Sequence, residues 1–188
     1  MNTPLLPWPT ERATLIRMVA LDVDGVLTDG AIYLDNEGQE SKRFYVRDGM
    51  GIRLLLQAGF RVGLLTARRS ALVEHRAREL SLSFVHQGVK DKWSCLQQEL
   101  SRAGWEPRQC AYMGDDLVDL AVLQRVGLAT APRDADPEVL QRVHWVAEAA
   151  GGEGAVRELA ENLLRTQNRW GNMIETLLEG PLPPQGHQ

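Results

Sequence analysis

Apolar residues in this chain gather in short dense runs that stop abruptly on acids, hydroxyls or glycine, and between the runs they recur at helical spacing. The first run, Met18 to Leu21, ends on Asp22 and Asp24 with Gly25 behind them. A run so short and continuous fits a strand buried on both faces, as in the middle of a parallel sheet. Phe60 to Leu65 is the second, ending on Thr66, and Phe84 to His86 is a short third. Cys110 to Met113 is the fourth, ending on Gly114, Asp115 and Asp116; Leu128 with Ala129, and Trp145 with Val146, complete the series. In the intervals, helical spacing predicts helices over Met50 to Ala58, Ser70 to Leu80, Lys90 to Leu100, Leu117 to Val126 and Ala155 to Asn168. Ser70 reads as an N-cap, Gly59 as a stop, and Pro132 to Pro137 as a turn into one more short helix.

Strand and helix therefore alternate, which predicts an α/β fold: a doubly wound, mainly parallel sheet with helices on both faces. Ala31 to Tyr33 and Ser41 to Val46 flank the turn-rich Asp35, Asn36, Glu37 and Gly38, the pattern of a β-hairpin insertion. Gly151, Gly152 and Gly154 read as a flexible joint before the last helix. The expected organisation is an N-terminal extension over residues 1–17, one domain over 18–170 and a tail over 171–188 whose end, PLPPQGHQ, frays.

Composition narrows the classes of function. A chain of 188 residues with 44% hydrophobic content suits one globular domain, and no stretch is apolar for long enough to cross a membrane. A net charge of −4 gives no basic footprint for nucleic acid. Cys95 and Cys110 lack metal-site spacing and read as reduced thiols of a cytoplasmic protein; His75, His86, His144 and His187 are scattered without zinc spacing. The first residues lack the basic start and apolar core of a signal peptide.

Charge matters most at the strand ends. Asp22 and Asp24 begin on the same face of their strand, and carboxylates that close repel unless a cation or a shared proton offsets them. A hard divalent cation held by oxygen, Mg2+ in cells, is the economical explanation. In a doubly wound sheet, ligands bind at the carboxyl ends of the strands. Thr66, Lys92, Asp115, Asp116 and Asp119 can therefore converge with the first pair. The chemistry of such a set is phosphoryl transfer: acids for the metal, a hydroxyl and an ammonium for the phosphoryl oxygens, and one acid to attack phosphorus.

DVDGVLTDG, TARRS, QGVKDK and MGDDLVD resemble, in order and spacing, the four motifs of the haloacid dehalogenase superfamily of phosphatases. From about Met18 to Arg165, with VRDGMGI, TARRSALVEHRA and AGGEGAVRE, the chain is similar to the compact capless members that act on 3-deoxy-D-manno-octulosonate (KDO) 8-phosphate. The resemblance implies Asp22 as nucleophile and Asp24 as general acid and base. It implies Asp22, the backbone carbonyl of Asp24, and Asp115 as ligands of Mg2+, with Thr66 and Lys92 gripping the phosphoryl group. Lys90 is the rival for the lysine role. Asp119 is expected to orient Lys92 or a metal-bound water, with Asp116 in a lesser supporting part.

With room for no cap domain, the site is expected to be walled by neighbours. The resemblance implies a homotetramer in which the hairpins gather, and a place in the cytoplasmic path to lipopolysaccharide. A sugar acid phosphate brings a carboxylate, for which Arg68 and Arg76 are the candidate partners; Asp48 and Asp29 either line the substrate or shape the hairpin and its return. Arg68 stands where phosphatases of sialic-acid-type nonulosonate 9-phosphates are expected to carry an acid, so octulosonate 8-phosphate is the favoured substrate and the 9-phosphate its rival. Two other classes remain: a receiver-like phospho-aspartate signalling module, and an idle partner of a sugar-activating enzyme.

Overall fold

A computed structural model describes residues 7–180. Its frame is a six-stranded parallel sheet built on β1 (Met18–Leu21), a run with no exposed residue. On either side of it lie β4 (Arg61–Thr66) and β6 (Cys110–Met113), Met18 standing opposite both Arg61 and Cys110. β5 (Phe84–Gln87) flanks β4, while β7 (Leu128–Ala131) and β8 (Trp145–Val146) extend the other side, giving the order β5-β4-β1-β6-β7-β8. The chain thus leaves β1 toward one edge, returns, and leaves β6 toward the other, so the crevice at this reversal opens above β1 and β6.

Alternate residues of the central strands feed two cores. Val19, Leu21, Val62, Leu64, Ala111 and Met113 pack beneath α1 (Thr10–Ala13), α2 (Val46–Gln57), α3 (Ala71–Leu80) and α7 (Ala155–Thr166). Met18, Ala20, Leu65, Cys110, Tyr112 and Ala129 pack on the opposite face beneath α4 (Lys92–Ala103), α5 (Leu120–Leu123) and α6 (Pro137–Leu140). That division is the double winding expected of the pattern. It also places Asp22, two residues beyond Ala20, on the α4 side.

Several boundaries differ from the pattern-based expectation. The hairpin pairs Tyr33–Leu34 (β2) with Glu40–Ser41 (β3), and Asp35 Oδ1 closes its turn by accepting from the amides of Glu37 and Gln39 at 2.9 and 2.8 Å. Val46, read as strand, instead opens α2, because Asp48 is drawn into the interior on the first turn. Leu117 to Val126 is a 3-10 turn over Leu117–Asp119 followed by the short α5. Asp116 and Asp119 cap that turn reciprocally, which tightens it.

Ser70 occupies the N-cap position of α3 but its side chain caps nothing; its amide donates to Gln87 Oε1 at 2.7 Å. The stretch expected as a tail carries α8 (Trp170–Glu179), whose Trp170, Met173 and Leu177 lean on the first core. The frayed end, PLPPQGHQ, lies outside the described residues.

The glycines expected as a flexible joint are a packed support. Gly152 donates to Val26 O at 2.9 Å, and a Cβ on Gly151 would strike the carbonyl of Gly25. Asp48 completes this junction, accepting from the amides of Gly154 and Arg157 at 3.2 and 2.8 Å and so capping the start of α7.

Candidate active site

The parallel ladder runs one residue past β1, with the Asp22 amide donating to Met113 O at 3.0 Å, and this fixes the root of the Asp22 side chain. Asp22 Oδ2 lies 2.9 Å from Lys92 Nζ. Lys92 is the first residue of α4, held there because the Asp91 side chain caps the helix through Ser94. Starting two residues later than the expected Lys90, the helix points Lys92 inward and leaves Lys90 exposed ahead of the cap.

Lys92 Nζ also reaches Asp119 Oδ1 at 2.7 Å, and Tyr112 donates its hydroxyl to the same oxygen at 2.6 Å. Asp119 Oδ2 accepts from the amides of Asp115 and Asp116 at 3.1 and 3.4 Å. Both oxygens of Asp119 are therefore engaged from within, so it orients Lys92 and the Asp115 loop rather than presenting a free ligand atom. Asp22, Asp115 and Asp119 bring one carboxylate oxygen each within 4.8 Å of one another. Among the described residues, Asp115 Oδ1 is buried without a partner. A buried, unpartnered carboxylate oxygen is costly unless a ligand occupies it.

The titration of the cluster agrees with that cost. Burial, reinforced by the charges of Asp22, Asp119 and Asp116, pushes the Asp115 carboxyl up to about 8. Burial and the Asp119 charge push Asp22 up to about 7 against the opposing pull of Lys92. For Lys92, burial favours the neutral amine, yet Asp22 and Asp119 together outweigh it and hold the ammonium above its ordinary value. One ammonium cannot offset so many acids, and the donors left over are hard oxygens. Asp22 and Asp115 fit a hard divalent cation bound between them.

Thr66, the last residue of β4, is buried beside this group. Its Oγ1 accepts from the Arg68 amide at 3.2 Å, which leaves the hydroxyl proton for an acceptor in the pocket. Asp24 diverges from Asp22: its carboxylate is absent from the converging acids and bonds Lys42 instead. Arg68 meets Glu40 at 2.7 Å on the hairpin side.

Three further expected site residues stay outside the cluster. Arg76 pairs with Glu79 at 2.9 Å and lies over Phe44, lining with Lys42 and His75 a separate cavity of about 300 Å³. Asp116 is exposed and caps the turn, its Oδ1 accepting from the Leu117 amide at 2.7 Å. Asp48, expected against substrate, is buried and spends both oxygens on the α7 terminus, so it shapes the return of the hairpin. Asp29 likewise ties up the hairpin, accepting from the Tyr33 hydroxyl at 2.6 Å.

Tyr112, Lys42 and Glu40 were not foreseen. Tyr112 was legible as an inward position of a buried strand two residues before the acid-bearing turn. Lys42 and Glu40 carried no signal, since charges in a hairpin read as solvated.

A family model described as haloacid dehalogenase-like hydrolase matches residues 66–159. The chain is 43% identical to a 3-deoxy-D-manno-octulosonate 8-phosphate phosphatase of Yersinia pestis, the match covering 85% of each chain. It is equally 43% identical to the phosphatase of that name from Escherichia coli K12, over 84% of each. Among solved structures, the phosphatase of that name from Moraxella catarrhalis, in complex with magnesium, phosphate and KDO, superposes with a TM-score of 0.87 at 38% identity, covering 89% of this chain and 97% of that one. The chain belongs to the haloacid dehalogenase-like hydrolases and, within them, to the family of the 3-deoxy-D-manno-octulosonate 8-phosphate phosphatases.

Proposed function

We propose that this protein is a Mg2+-dependent phosphomonoesterase that hydrolyses KDO 8-phosphate to KDO and inorganic phosphate. The observation that carries the reading is the meeting of Asp22, Lys92 and the unpartnered Asp115 oxygen at the carboxyl edge of β1 and β6. The relatives bearing this activity in name, and the neighbour holding magnesium, phosphate and KDO, supply the substrate.

Asp22, the backbone carbonyl of Asp24, and Asp115 would hold Mg2+, which when bound offsets the charge of the acids and of the phosphoryl oxygens. Lys92, fixed by Asp119 and Tyr112, and the Thr66 hydroxyl grip the transferring group. Asp22 attacks phosphorus as the bond to the sugar oxygen breaks, and the Asp24 carboxyl gives its proton to that oxygen. An aspartyl phosphate and the free sugar acid result. Water then attacks phosphorus, its proton returns to Asp24, and Asp22 is released with inorganic phosphate.

Arg68, at the rim, is the assigned partner of the substrate carboxylate, and Arg76, paired with Glu79 beside a separate cavity, is left out of that role. The hairpin exposes Ile32, Tyr33 and Leu34. Apolar side chains on such a protrusion support assembly of several copies, a homotetramer, that covers the open site. Two free thiols, Cys95 and Cys110, suit the reducing cytoplasm.

The test is phosphate release from KDO 8-phosphate, a nonulosonate 9-phosphate and an aryl phosphate, with and without Mg2+. The first should be turned over fastest and only with the ion. Comparable slow turnover of all three would remove KDO 8-phosphate as the substrate, and release undiminished in Asp22→Asn would remove the nucleophile. Light scattering on the eluting protein checks the tetramer.

A further inference from the structure

The hairpin brings one side chain into the site from outside the sheet. Lys42 follows β3, yet its side chain is only 2% exposed. A lysine so buried must be paired. Its partners are Asp24 Oδ1, in close contact, and Glu40 Oε1 at 3.4 Å, while Arg68 holds that same Glu40 oxygen at 2.7 Å. The side chain of Asp24 is 21% exposed against 8% for Asp22. Asp24 therefore stands nearer the mouth, and its carboxylate is turned away from the acids that converge below.

In an in-line displacement the leaving oxygen departs on the side opposite the attacking one. With Asp22 at the floor, that side is the mouth, where Asp24 stands. Resting on the phosphatase reading above, we propose that Lys42 is a positioning residue for the general acid and base. It anchors Asp24 Oδ1, keeps the carboxyl clear of the Asp22 and Asp115 oxygens, and leaves Asp24 Oδ2 to face the leaving oxygen and later the attacking water. An oxygen of a carboxyl group accepts from an ammonium whether or not the other oxygen carries a proton. The anchor therefore persists through both steps. A free Asp24 has a competing use as one more oxygen near a cation, and the lysine removes it.

The reading separates from a merely structural tie by its dependence on the leaving group. An aryl phosphate releases a stable phenoxide that needs little help from an acid, whereas a primary alkyl phosphate such as KDO 8-phosphate needs the proton. Single-turnover rates on both esters should show Lys42→Met losing about tenfold or more beyond its loss on the aryl ester. Asp24→Asn should show the same bias more strongly, and Lys42→Arg should recover most of the alkyl rate.

Turnover of the aryl ester certifies that the variant is folded. If methionine is not accommodated, Lys42→Gln keeps a polar donor on a side chain one atom shorter and must show the bias in smaller measure. Equal losses on both esters, or none, would overturn the role of Lys42 while leaving the phosphatase standing if Asp24→Asn keeps its bias. Wild-type protein inert toward both esters would instead overturn the phosphatase reading, and the lysine's role with it.

Discussion

The Asp115 carboxylate lies directly over Gly25, so closely that a Cβ on that glycine would occupy its Oδ2. Gly25 also has a φ of +91°, a region costly for any side chain. Sterics and backbone thus enforce one residue at the turn that carries the chain away from Asp22 and Asp24. Gly25→Ala should cost about 1–2 kcal/mol in stability from the left-handed backbone. By displacing Asp115 it should also weaken Mg2+ binding roughly tenfold or more, since a misplaced ligand spoils a geometry that Mg2+ demands closely. Urea unfolding and a Mg2+ titration of activity check the two effects separately; an unchanged Mg2+ requirement would show that Asp115 is not a ligand.

Lys92 offsets Asp22 and Asp119, all three side chains being buried. Lys92→Met keeps the length and removes the charge, leaving two buried acids facing each other. Activity should fall by roughly 10³-fold, because both the grip on the phosphoryl group and the setting of the nucleophile are lost. Without Mg2+ the variant should be destabilised by several kcal/mol, about 3–5 for a broken buried pair. With Mg2+ much of that deficit should return, since a divalent cation supplies charge to the same acids. Thermal unfolding with and without the ion reads this difference directly.

Protons and the metal compete for the same oxygens. Asp115, pushed to about 8, and Asp22, pushed to about 7, are both raised above their ordinary value. A raised acid carries a proton below its pKa, and a ligand must shed it to bind. Mg2+ affinity should therefore weaken as pH falls through the interval from 8 to 7 and below. Near neutrality, binding should release protons, and at higher pH the release should vanish. Calorimetry in buffers of different ionisation enthalpy measures the number released; no buffer dependence near pH 7 would contradict the shifts.

Much of this architecture was legible in the sequence because burial on both faces leaves a continuous apolar run. β1, β4 and β6 announced themselves so, and in an open sheet their carboxyl ends share one edge. Asp22, Thr66, Lys92, Asp115 and Asp119 were found together for that reason. What stayed hidden depends on side chains that leave their own element. Lys42 belongs to a hairpin whose pattern is that of a solvated surface, and only its meeting with Asp24, beyond the end of β1, draws the side chain inward. The glycines before α7 looked like a hinge because sequence shows their freedom and not the backbone pressed against them. Asp48 misled in the converse way: an acid near a hairpin suggested substrate, whereas it is consumed by the amides at the start of α7.

That use of Asp48 has a measurable signature in stability. Burial outweighs the amides of Arg157 and Gly154 and raises its carboxyl to about 6 from an ordinary 3.8. The folded protein thus holds this proton more tightly than the unfolded chain does. Linkage then makes stability from this group greatest below the unfolded value and diminishing as pH rises through the folded one. The shift corresponds to roughly 3 kcal/mol between the two limits. Asp48→Asn cannot titrate, and its amide nitrogen cannot accept from both backbone donors, so it should be less stable than wild type in acid. At about pH 7 the gap should narrow, because the wild type then carries the buried charge that asparagine avoids. Urea unfolding of both proteins without Mg2+, at about pH 4.5 and pH 7, should give a larger wild-type advantage at the lower pH. The cluster acids contribute equally to both proteins and cancel in the comparison. An advantage that grows toward neutral pH would mean that the amides, and not burial, govern Asp48.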